Sequence, residues 1–377
     1  MMRAKCSISS WPIRFAVAAI VLLDIDPGLA QTISFGTPID VKEKYAAPAS
    51  DAGGKPRGIS GMACLGAAGD EKRQCLVIND EETFAEIAIL KDESLKPTGK
   101  KLRIVETGES GDGIVGAQRI AACGGEGKPA KGGKFSEVDG EGVAVSQGYV
   151  YIAGSHSCSG GGKYKPSSYL LSRARLAGPE AFPHGKSAVV ERSWRGADML
   201  FHSDAGSAFG KPKKVGTNIE GIAVIGEYLY AGLRTPVGGS SAFLIRAPVD
   251  ALFAPGTAPL SADLVKTRSL ALGEDTGVRD LAALADGSLL ILSGPSLNQD
   301  VDYKIWHLPN PVWSAQPTTL LVVKTKAKAK DEKGEDETPK AESLTVIGQS
   351  GKTVVVVVNY DNIDEGAPAR HELNIGP

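Results

Sequence analysis

The chain has 377 residues, 42% of them hydrophobic, with 42 basic and 44 acidic side chains and a formal net charge of −2. That apolar content supports a sizeable core. The near-balanced charge leaves no electrostatic footprint for nucleic acid or an anionic membrane surface.

Residues 1–30 read as a secretory leader. Arg3, Lys5 and Arg14 flank the apolar run Phe15–Leu23, which is too short to span a bilayer. Gly28, Leu29 and Ala30 offer small residues for cleavage before Gln31. No later stretch approaches the ~20 consecutive apolar residues of a membrane span. Loss of the leader removes three basic and two acidic residues, leaving 39 against 42, or net −3. The mature protein is therefore expected in the periplasm or outside the cell. Of five cysteines, Cys6 leaves with the leader. Cys64, Cys75, Cys123 and Cys158 remain, and an oxidising compartment favours disulfides among them. Four cysteines allow three pairings. Cys64 closes one predicted strand and Cys75 opens the next, so their pairing would staple a hairpin. Cys123 and Cys158 would then tie two long loops together.

After the leader comes a strand-like segment, Thr32–Ile39. Then one phrase recurs five times: Ser-Gly-Met-Ala from Ser60, Glu-Gly-Val-Ala from Glu141, Glu-Gly-Ile-Ala from Glu220, Arg-Asp-Leu-Ala from Arg279 and Glu-Ser-Leu-Thr from Glu342. The intervals are 81, 79, 59 and 63 residues. Each copy leads through a tight turn into a β-branched or aromatic second strand: Cys75–Ile78, Tyr149–Ala153, Tyr228–Leu233, Leu289–Leu292 and Val354–Val358. Third strands follow at Thr83–Leu90, Tyr169–Leu176, Ala242–Val249, Tyr303–Leu308 and His371–Ile375. More polar fourth strands follow at Lys101–Val105, Ala188–Trp194, Ala262–Leu272 and Thr318–Lys324. Repeated four-stranded units predict an all-β protein, a five-bladed β-propeller over residues 31–377. The fifth repeat lacks its outer strand, and Thr32–Ile39 is expected to supply it, closing the ring and hiding two sheet edges. The blades average roughly 70 residues, well above the ~40–45 of a minimal blade, so the loops are long. Residues 107–136 and 195–219 are glycine-rich insertions, and the charged run 324–340 reads as a mobile, solvated loop.

Topology places the chemistry. Inner and second strands are antiparallel, so the start of one and the end of the other share a face. Asp80, Glu81, His156, Arg234 and Asp361 meet Glu141, Glu220, Arg279, Asp280 and Glu342 there. A polar channel mouth with long loops is the expected ligand site. Glu141, Glu220 and Asp280 would converge on the axis as oxygen ligands for a divalent cation such as calcium. The same acids have a structural alternative, in which Arg234 and Arg279 neutralise them. His156 would serve either as a general base oriented by a carboxylate or as a hydrogen-bonded loop histidine. Lys163 and Lys165 with the two arginines would suit a phosphate or carboxylate. The glycine cluster 124–133 lacks the Lys-Ser/Thr that closes a phosphate loop. No G-x-S-x-G, H-E-x-x-H or C-x-x-C-H motif occurs.

The runs VDGEGVAVSQGYVYIAGSHS from Val138, NIEGIAVIGEYLYAGLRTPV from Asn218 and GVRDLAALADGSLLILSGPS from Gly277 resemble the bacterial family catalogued as domain of unknown function 3616. The resemblance spans roughly Ile59 to Asn362. It implies a β-propeller and brings no activity or catalytic residue. The Glu-Gly-hydrophobic-Ala phrase is also similar to exported phytase-like and esterase-like propellers, although Ser60 and Glu342-Ser343 depart from it. The expected protein is a monomeric binding module of the cell envelope, taking a small ligand, an ion or an envelope protein at its mouth. The alternative is a metal-assisted hydrolase of a phosphate or other ester, and a redox propeller is a third reading.

Overall fold

A computed structural model describes residues 32–46, 58–66, 69–123, 134–309, 315–330 and 335–376. The predicted leader and the glycine cluster 124–133 lie outside them. The strands form five antiparallel blades in a ring. Blade one comprises Gly61–Cys64, Lys72–Ile78, Phe84–Lys91 and Ser94–Arg103 from inside to outside. Blade two comprises Gly140–Ser146, Tyr149–Gly154, Leu171–Arg175 and Val190–Ser193. Blade three comprises Asn218–Ile225, Tyr228–Thr235, Ser241–Pro248 and Lys266–Ala271. Blade four comprises Thr276–Ala283, Leu289–Pro295, Tyr303–Leu308 and Thr318–Val323. Blade five comprises Ala341–Ser350, Thr353–Tyr360 and Ala369–Asn374, with Thr37–Pro38 outermost. The innermost strands contact one another in the order one to five, and blade five returns to blade one.

The second strands are apolar on both faces because each blade is sandwiched between two others. Leu76 and Ile78 pack toward Val150 and Ile152 of blade two, while Val77 packs toward Val357 of blade five. Tyr151 and Ala153 meet Leu229 and Ala231 of blade three. Leu290 and Leu292 meet Val354 and Val356 of blade five. Alternation of period two thus sends successive side chains into two different inter-blade cores.

Both predicted disulfides are present, Cys64–Cys75 and Cys123–Cys158. The first joins directly opposed residues of one hairpin. Among the described residues no helix is long and apolar enough to cross a membrane.

The N-terminal segment differs from its expected form. It closes blade five as expected, but through Thr37–Pro38 alone and not as one continuous strand. Ile33–Ser34 pairs in parallel with the outer strand of blade four. Thr37–Pro38 pairs antiparallel with blade five, and Asp40–Val41 pairs in parallel with the outer strand of blade one. The segment bends at Gly36, whose φ is +65°. It therefore completes blade five and also laces that blade to its two neighbours. Two other segments also depart from the reading above. The insertion after blade two carries a short helix, Arg195–Phe201. Within the charged run, Ala329–Lys330 pairs with Asp336–Glu337 and Ala329 is buried. Residues 331–334 of that run lie outside the described residues.

Candidate functional site

The recurring phrase corresponds to a β-bulge at the start of each inner strand. In blade two Gly140 pairs with Gly154 and Gly142 with Ala153, so Glu141 is extra. The same shift leaves Glu220 extra between Ile219 and Gly221, Arg279 between Val278 and Asp280, and Glu342 between Ala341 and Ser343. In blade one Ser60 donates its amide to Ile78 O, the partner of Gly61, and so holds the equivalent place. A bulge re-aims one side chain out of the sheet pattern. Here it yields a ring of five: Ser60, Glu141, Glu220, Arg279 and Glu342. The glycine that follows is required by packing. A Cβ on Gly142 would lie 2.8 Å from Ile222 N, and one on Gly221 would lie 2.5 Å from Asp280 Cα. Glycine thus lets successive inner strands approach closely around the axis.

The ring is buried. Glu141, Glu220 and Glu342 are 7%, 2% and 6% exposed, and one carboxylate oxygen from each lies within 4.8 Å of the others. Glu220 is fully engaged. Its Oε1 accepts from Asn218 Nδ2 at 2.6 Å and Arg234 Nη1 at 3.0 Å, and its Oε2 accepts from Arg279 Nη1 at 3.2 Å. Arg279 Nη1 also donates to Glu342 Oε1, and its Nη2 donates to Pro295 O at 3.0 Å. Arg234 Nε donates to Ser296 O at 2.9 Å. Among the described residues Glu141 has no hydrogen-bond or ion-pair partner, and the buried Ser60 Oγ has none either.

The electrostatics follow from this division. Burial, then Glu220 and Asp139, push Glu141 well above the ordinary carboxylate range. Burial would raise Glu220 too, but Arg234 and Arg279 outweigh it and hold its carboxyl low. Burial and Asp361 push Glu342 up to about 8 against the pull of Arg279. Asp80 and Asp361, half-buried near the ring, each rise to about 7 through burial. Lys213, exposed at its surface but crowded by the mouth, is held above its usual value because the attraction of Asp139, Glu141 and Glu220 outweighs its partial loss of water. Beneath the ring, two residues along each inner strand, the buried Met62, Val143, Ile222, Leu281 and Leu344 line a narrow cavity of about 110 Å³.

The predicted site residues separate into groups. Glu141, Glu220, Arg279, Glu342 and Arg234 come together, and Asp80 and Asp361 act on them electrostatically. Glu81 stands beside Asp80, with its amide donating to Asn79 Oδ1. Asp280 does not join the axial carboxylates. The bulge gives the axial place to Arg279, and Asp280 accepts Leu281 N and Leu344 N, both at 2.7 Å, the second from blade five. His156 is buried with φ +51°, its Nδ1–H donating to Gly154 O at 2.8 Å. Burial drops its pKa to about 4 with no contribution from a carboxylate, so it lacks the orienting partner a general base needs. Lys165 pairs with Glu137 and takes no part in an anion site with the arginines. Asn218 and Asp139 went unpredicted. Each stands two residues before a ring glutamate, a spacing that period-two alternation along the inner strand would have exposed.

Residues 210–373 match the model of the family described as protein of unknown function DUF3616. That segment holds blades three to five, and with them Glu220, Arg234, Arg279 and Glu342. It supports the resemblance read from the sequence and adds no activity. No curated protein matches the chain. Among solved structures, the chain is similar to the α-L-arabinofuranosidase PaAbf62A of Podospora anserina in complex with cellotriose. The identity is 9%, with 92% of this chain and 99% of that one covered, at a TM-score of 0.38. It is also similar to a candidate glycoside hydrolase of Parabacteroides distasonis, at 10% identity, 94% and 95% coverage and a TM-score of 0.42.

Proposed function

We propose that this protein is an exported binding module whose axial mouth takes a small cationic ligand. The observation that carries this reading is Glu141. It is a buried carboxylate, 7% exposed, converging on two others yet without an ion-pair or hydrogen-bond partner among the described residues, Lys213 acting on it only through space. A buried carboxyl is costly unless a proton or a cation compensates it. Arg279 and Arg234 serve Glu220 and Glu342, which leaves the Glu141 side open to an external cation. Burial also favours an ion or small cationic group over an ester, whose bulky reacting centre would have to reach carboxylates 2–7% exposed. The paired cysteines and the leader-like residues 1–30 support export.

The test is a thermal-shift and calorimetric screen of chelator-treated protein against metal cations and organic ammonium ions. At least one cation should raise the melting temperature and bind in a 1:1 ratio, and Glu141→Gln should abolish both effects. A screen in which no cation binds, or in which Glu141→Gln binds as well as wild type, refutes the reading.

A further inference from the structure

We infer that the axial ring is a site for one divalent cation of the calcium type, held on the Glu342–Ser60–Glu141 side of the ring. This rests on the cation-binding reading above. The five ring positions divide into two arcs. Blades three and four contribute Glu220 and Arg279, which satisfy one another, with Asn218 and Arg234 completing the shell of Glu220. Blades five, one and two contribute Glu342, Ser60 and Glu141; one oxygen of Glu342 accepts from Arg279, while the Ser60 hydroxyl and the Glu141 carboxylate have no partner among the described residues.

Ser60 is the independent observation. Its hydroxyl is 1% exposed and has no hydrogen-bond partner, although its place in the ring is the one that glutamate fills in three other blades. Buried hydroxyls usually find a partner; Ser168 and Ser172 also lack one here, but of these serines Ser60 alone holds a place in the ring. An ion on the axis accepts its lone pair and removes the anomaly.

Distance and charge point the same way. Calcium binds oxygen at about 2.3–2.6 Å, so two ligands of one ion stand up to about 5 Å apart, whereas magnesium at about 2.0–2.1 Å holds them within about 4.2 Å. The three glutamate oxygens, all within 4.8 Å of one another, stand close enough to share one ion after a small inward shift. Calcium also tolerates the irregular, one-sided ligand set that the ring offers, while magnesium demands a near-octahedral one. With all three carboxylates ionised against the guanidinium groups of Arg279 and Arg234, the ring carries one negative charge in excess, on the Glu141 side, and a cation there offsets it. Below the ring the side chains of Met62, Val143, Ile222, Leu281 and Leu344 are hydrocarbon and offer an ion no ligand, which confines the site to the level of the ring.

The decisive experiment titrates CaCl2 and MgCl2 into the chelator-stripped mature chain at neutral pH by calorimetry, beside Glu141→Gln and Ser60→Ala. One equivalent of Ca²⁺ should bind, with Mg²⁺ weaker by at least about tenfold. Glu141→Gln should lose the site. Ser60→Ala keeps the charge of the ring and serves as the variant least prone to misfold. It should bind Ca²⁺ about tenfold more weakly with unchanged circular dichroism. Equal Ca²⁺ binding by wild type and both variants overturns the inference, because the ion then sits elsewhere. An organic ammonium ion that binds through Glu141 while Ca²⁺ does not overturns this inference and leaves the cation-binding reading standing. Failure of every cation removes both.

Discussion

At Arg279 the bulge hands the axial place to a cation and turns the following carboxylate, Asp280, toward blade five. Asp280 occupies the position that glycine holds in blades one to three, where the next inner strand passes too close for a side chain. In blade four the carboxyl instead reaches across and caps Leu344 N. Asp280→Ala should therefore leave two buried amides without an acceptor, at about 1–3 kcal/mol each. Urea unfolding should show the loss, and titration calorimetry should show cation binding intact. A stable variant that no longer binds would return Asp280 to the site. This residue also marks the limit of what the sequence tells. The phrase locates the ring to within one residue, and Glu141, Glu220 and Glu342 fall where their spacing puts them. Whether Arg279 or Asp280 faces the axis depends on a register shift, which the residue types alone do not encode. His156 was legible as a strand-end residue but not as a buried one, because the helix and Tyr169 that cover it lie in other parts of the chain.

Among the elements, the second strands were the easiest to read. Burial on both faces makes them continuous apolar runs that turns interrupt cleanly. The N-terminal segment was the hardest, because two-residue pairings leave no periodicity to detect. Its geometry depends on Gly36. With φ at +65°, a Cβ there would also stand 2.7 Å from His371 Nε2. His371 is itself tied to the segment through Ser34 Oγ at 3.0 Å. Gly36→Ala therefore meets backbone strain and a clash at once, and should destabilise by more than about 1 kcal/mol. A chemical-denaturation midpoint unchanged from wild type would show that the lacing contributes little to ring closure. The helix Arg195–Phe201 was missed for a related reason, since seven residues are too few to display a helical period.

For the whole molecule, the five-fold arrangement follows from the repeat, but the charge it concentrates at one end follows from the loops as well. Lys213 and Asp139 acquire their roles only when the ring closes. That concentration predicts a pH dependence with a definite sign. Asp80, Asp361 and Glu82 titrate near 7 in the folded protein because of burial, against 3.8 to 4.5 ordinarily. Between those values the folded state binds more protons, so their contribution to stability is present at low pH and is lost as pH rises through about 7. His156 and His371 act oppositely. Burial lowers both from 6.5 to about 4, so their contribution is present above 6.5 and is lost as pH falls toward 4. From about 4 to 6.5 the two sets oppose each other. Above 6.5 the unfolded imidazoles lose their remaining charge within about one pH unit, and the three carboxyls outweigh the two histidines. In chelator-treated protein the melting temperature should therefore fall by a few degrees between about pH 6.5 and 8, and Asp80→Asn should reduce the slope. A melting temperature that stays level or rises across that interval would mean that these carboxyls are already ionised in the native protein. The countercharge at the mouth would then be stronger than Arg234, Arg279, Lys213 and Lys340 supply.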